Sequence, residues 1–110
     1  MRKLGFEDTF LLSKVIDDLN IEAEISKFIK QARDSKETDM EKVGIELFLL
    51  IAKRWHRGKV SVMEFIAAVT EKDIEEVKRL SLKDVKHVFV ELVQQEDIAD
   101  FFKSASEESK

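Results

Sequence analysis

Thr70-Glu71-Lys72-Asp73, Ser81-Leu82-Lys83-Asp84 and Glu96-Asp97-Ile98-Ala99-Asp100-Phe101-Phe102 decide how this chain reads. Each places polar or acidic helix-start residues ahead of an apolar run. Helix starts recurring at such short intervals predict a succession of short helices. Ser81 to Asp84 should open a helix reaching Gln95, with Val85, Val88, Phe89, Leu92 and Val93 on one face. Val88-Phe89-Val90 alone would suit a strand, but the three- and four-residue spacing around it favours helix. Thr70 to Asp73 should start a helix ending near Leu80, and a last one should run from about Asp97 to Lys103. Beyond it, 105–110 has the composition of a flexible tail, which leaves 1–104 as a single helical domain.

The same periodicity extends toward the N-terminus. A first helix is expected from about Glu7 to Leu19, with Phe10, Leu11, Val15 and Leu19 in its stripe, Lys14 falling among them. Asn20 should then cap a second helix, Ile21 to about Ala32, whose Ile21, Ile25, Phe28, Ile29 and Ala32 align. Arg33 to Asp39 is wholly polar and reads as a mobile loop, closed by a Thr38–Glu41 capping box. Met40 to about Arg57 is apolar almost all round its middle and should be the central, buried helix, ended by a left-handed Gly58. Ser61-Val62-Met63-Glu64 should open the next, reaching Val69. With no proline and three glycines there are few breaks. The fold class is all-α, a compact bundle of six to seven short helices around a central apolar one.

Composition narrows function. The chain has 110 residues, enough for one modest core, and its lack of cysteine excludes disulfides, thiolate nucleophiles and cysteine-based metal sites. Carboxylates arrive at Glu7 and Asp8 before any apolar run of signal-peptide length, and the longest uncharged apolar run is Leu47 to Ala52, so neither secretion nor a membrane span is expected. A net charge of −4 argues against nonspecific attraction to nucleic acid.

Catalytic groupings are missing from the pattern. His87 and Glu91 lie four apart on one helix, but a metal site needs three or four ligands. His56 has no adjacent nucleophile and sits among cations. Gly58-Lys59 lacks the flanking residues of a phosphate loop. No enzyme, cofactor or metal is expected. The basic cluster Lys53, Arg54, Arg57 and Lys59 precedes a helix and suggests a helix-turn-helix surface, although that helix lacks the Arg, Asn and Gln side chains that read bases. Large aromatic side chains near helix ends, Trp55, Phe65, Phe101 and Phe102, are the candidates for partner contact or self-association.

The apolar helix Ile45-Glu46-Leu47-Phe48-Leu49-Leu50-Ile51, the segment Glu64-Phe65-Ile66-Ala67-Ala68-Val69-Thr70, then Asp73 to Leu82 and Glu96 to Lys103, in that order after a polar loop, resemble the tail assembly chaperones of long-tailed bacteriophages. The likeness covers most of residues 40 to 105. It implies a non-enzymatic, self-associating protein of the bacterial host cytoplasm that coats the tape-measure protein before the tail tube forms. In that family a longer frameshifted form recruits tail-tube subunits, and this chain would correspond to the short form. No motif of the family assigns roles to the four aromatics, which rest on side-chain type and placement.

Overall fold

Gly44 has room for no side chain. A Cβ there would lie 2.7 Å from the Cα of Val90 and 3.1 Å from the carbonyl oxygen of Phe89. That contact joins α3 (Met40–Arg54) to α6 (Leu82–Val93), the most closely packed helix pair. The computed structural model, which describes residues 1–34 and 39–108, arranges five further helices around it: α1 (Phe6–Leu19), α2 (Glu22–Asp34), α4 (Lys59–Thr70), α5 (Ile74–Lys78) and α7 (Ile98–Glu108). A 3-10 turn, Trp55–Arg57, links α3 to α4. No strand occurs among the described residues, and the all-α bundle expected from the spacing is what forms. The radius of gyration, 12.6 Å, matches the ~13 Å of a compact chain of about this length.

Each helix buries one stripe. Leu12, Val15, Ile16 and Leu19 of α1 and Ile25 and Phe28 of α2 meet Val62, Phe65, Ile66 and Val69 of α4 and Phe102 of α7 in one continuous core. Phe28 and Phe102 stack edge to face at 4.7 Å. The α1 stripe is turned from the expected one: Phe10 is exposed, and the inward face includes the carboxylate of Asp8. Asp8 is tolerated there because Arg2 donates two hydrogen bonds to it, at 2.6 and 2.8 Å, and the Gly5 amide a third at 2.7 Å. Arg2 also reaches the Ala68 carbonyl at 2.9 Å, and Gln95 holds Leu4 and Arg2 by their main chain. Residues 1–5 are thus strapped across the end of α4.

Several expected boundaries shift for physical reasons. Asn20 is not the cap of α2; it ends α1 in the left-handed region at φ 55°, its amide and that of Ile21 closing on carbonyls of the last turn. Gly58 is not left-handed at φ −145°. Its missing side chain instead admits Leu19 Cδ1 and Asp18 Cβ, which a Cβ would meet at 2.7 and 2.9 Å. α4 therefore starts at once, and Ser61 lies inside it, donating its hydroxyl to Asp18 rather than capping. Thr70 closes α4, with Glu71 left-handed at φ 57°, and the capping box of α5 is formed by Asp73 and Glu76. Ser81 and Asp84 cap α6 as expected. Helix α7 continues past Lys103 to Glu108, and Ala105 and Ser106 are buried, so the start of the expected flexible tail packs on the core. α3 is buried along one side only, since Leu49 is exposed. Thr38 and the centre of the expected mobile loop lie outside the described residues, as do 109 and 110.

Candidate partner-binding groove

The helices α3 and α6 run past each other in opposite senses: Gly44, at the start of α3, packs on Val90 and Val93 at the end of α6. α3 ends at Arg54, alongside the first turn of α6, and the chain leaves it through the 3-10 turn that carries Trp55. Leu82 and Val85 carry the apolar stripe of α6 into that first turn, and what faces them is Trp55, held edge to face against Phe48 at 6.0 Å. The result is a groove of about 500 Å³. Its floor is Val62 and Ile66 of α4 and Val77 of α5, all buried; its walls are Trp55, Met63, Leu80 and Val85, each half-buried. Leu82 stands at the edge, 67% exposed.

Three ionisable side chains line the groove, His56, Lys59 and Lys78, and no carboxylate does. Lys78 pairs with Glu75 at 3.1 Å, an exposed contact within α5, while Lys59 makes no ion pair among the described residues. A surface of this make-up can bury apolar side chains and attract negative charge. It offers no nucleophile with a base beside it.

The candidate residues do not converge on one place. Trp55 lines the groove and Phe101 is half-buried beside Leu4 and Gln95, on another part of the surface. Phe65 and Phe102 are 1% and 0% exposed; they hold α4 and α7 in the core and present nothing to a partner. The basic cluster is divided. Arg54 turns back to the Asn20 carbonyl at 2.8 Å and to Glu24 at 3.4 Å, Lys53 borders a shallow patch with Leu49 and Leu50, and Lys59 edges the groove. Arg57, the fourth, is exposed. His87 Nε2 lies 2.8 Å from a Glu91 carboxylate oxygen, and among the described residues no group of three His, Asp or Glu could hold a metal. No helix among them is long and apolar enough to cross a membrane.

Met63, Leu80 and Leu82 were not singled out by the sequence reading. The available signal was Leu82, which extends the expected α6 stripe back from Val85 by three residues. Phe6 and Phe10 were missed as surface groups as well; they are 74% and 54% exposed and stack on each other at 5.1 Å. No protein-family model, curated protein or solved structure matches this chain.

Proposed function

We propose that this chain is a non-enzymatic binding module that shields apolar helical segments of a partner, acting as a tail assembly chaperone that coats a tape-measure protein in the cytoplasm of a bacterial host. The observation that carries this is the open groove between Trp55, Met63, Leu80 and Val85, an apolar surface whose ionisable lining is His56, Lys59 and Lys78. The partner's identity rests on the residue pattern of 40 to 105 alone. Self-association has its own support in the exposed Phe6–Phe10 pair, an aromatic surface away from the core. Weak binding at each groove, repeated along one partner chain, gives avidity.

Nucleic-acid binding is the weaker reading. Arg54 is occupied by Asn20 and Glu24, and α4, the helix that would enter a groove of DNA, buries Val62, Phe65, Ile66 and Val69.

Light scattering of the chain with a tape-measure fragment tests the proposal. Several copies bound per fragment is the expected result. A chain that ignores the fragment but binds duplex DNA in a salt-sensitive manner would replace it with the second reading.

A further inference from the structure

We propose that the groove at Trp55 takes an amphipathic helix whose apolar face is flanked by carboxylates; this rests on the helix-shielding function above and names the chemistry of what is shielded.

The form of the occupant follows from the walls. They are side chains of α4, α6, the 3-10 turn and Leu80, whose amide donates to the Val77 carbonyl at 3.1 Å, and there is no sheet edge among the described residues to extend. An extended segment would bring unpaired N–H and C=O groups against Met63, Leu80 and Val85. A helix satisfies its own main chain and presents apolar side chains at three- and four-residue steps.

The charge follows from the rim. The chain as a whole carries −4, yet the charged side chains along this groove are Lys59 and Lys78, with His56 beside them and no carboxylate. Lys59 has no anionic partner among the described residues, and the Lys78–Glu75 pair is exposed and weakly held. Carboxylates beside the apolar stripe of an incoming helix would find both lysines, whereas lysines there would be repelled.

Trp55 is the only tryptophan, so its emission reports what covers the groove without a label. The test titrates the full chain with two synthetic amphipathic helices sharing one leucine-rich face, one flanked by glutamates and one by lysines, at low and at high salt. The expected result is a blue shift of Trp55 emission, with the acidic peptide binding about fivefold tighter than the basic one at low salt and the difference shrinking at high salt. The Lys59→Glu, Lys78→Glu double variant should reverse that order. Leu82→Asp should abolish the shift for both peptides while leaving the circular dichroism unchanged, because Leu82 is exposed at the first turn of α6, where a carboxylate is accommodated.

Equal affinity for the two peptides, or a preference for the basic one, overturns the charge assignment and leaves helix capture standing. No shift with either peptide, while a tape-measure fragment still forms its multi-copy complex, overturns this groove as the docking site but not the proposed function. A blue shift that depends on chain concentration alone, removed by Leu82→Asp, assigns the groove to a second copy and overturns the partner-helix proposal.

Discussion

Asp8 is the residue on which the register of α1 turns. Two stripes compete in that helix, the expected one through Phe10, Leu11, Val15 and Leu19, which takes in Lys14, and the observed one through Leu12, Val15, Ile16 and Leu19, which turns Asp8 inward. Burial of its four aliphatic side chains favours the second, and Arg2, six residues upstream, supplies the partner that lets Asp8 face inward with them. Nothing in the periodicity announces that pair, so this part of the fold was not legible. Replacing Phe6 or Phe10 with alanine should change unfolding free energy by no more than about 0.5 kcal/mol, whereas Phe65→Ala should cost about 3 to 5 kcal/mol in a denaturant titration. The Arg2 hydrogen bonds hold the Asp8 carboxyl below its ordinary range, against the opposing effect of burial. The sign of the pH dependence follows: a depressed folded-state pKa contributes stability above the unfolded carboxylate value and loses it as pH falls through the folded one. Asp8→Asn should therefore lower stability at neutral pH and flatten its decline in acid, measured by urea unfolding across that range.

Helix starts carried most of what the sequence made readable at the scale of elements. Ser81 and Asp84 form the reciprocal bonds their spacing predicts, and Asp73 with Glu76 does the same one step away from the expected box. Asp73→Ala should cost about 1 kcal/mol and speed amide exchange in α5 before that in α6. Ser61 was misread because its pattern matches a cap while its hydroxyl is claimed by Asp18, a contact between distant parts of the chain. Gly44 makes a sharper test of element packing. In an open helix Gly→Ala would stabilise by about 1 kcal/mol, but here the added carbon meets main chain of α6 at 2.7 Å, which cannot rotate away. Gly44→Ala should lose about 2 kcal/mol instead. A gain in melting temperature would mean that α3 and α6 do not approach so closely.

The molecule as a whole is a bundle whose apolar surface is not fully used by its own core. The all-α class and the helix count were legible because local spacing determines them. The groove was not, since it arises from the 3-10 turn that follows α3 and sets Trp55 against the first turn of α6, over Val62 and Ile66 of α4. Of the four aromatics marked for partner contact, two fill the core, and the ones that remain lie on separate surfaces; side-chain type does not say which face a helix turns inward. We propose this groove as the place where a helical partner is held. The most direct measurement follows Trp55 emission and light scattering together while a tape-measure fragment is added to the native chain and to Leu82→Asp. A saturating blue shift should accompany multi-copy assembly on the native chain, and both should be lost in the variant while its helix content stays intact. Assembly that proceeds while Trp55 emission stays where it was, or that Leu82→Asp leaves unchanged, would rule this groove out as the docking site.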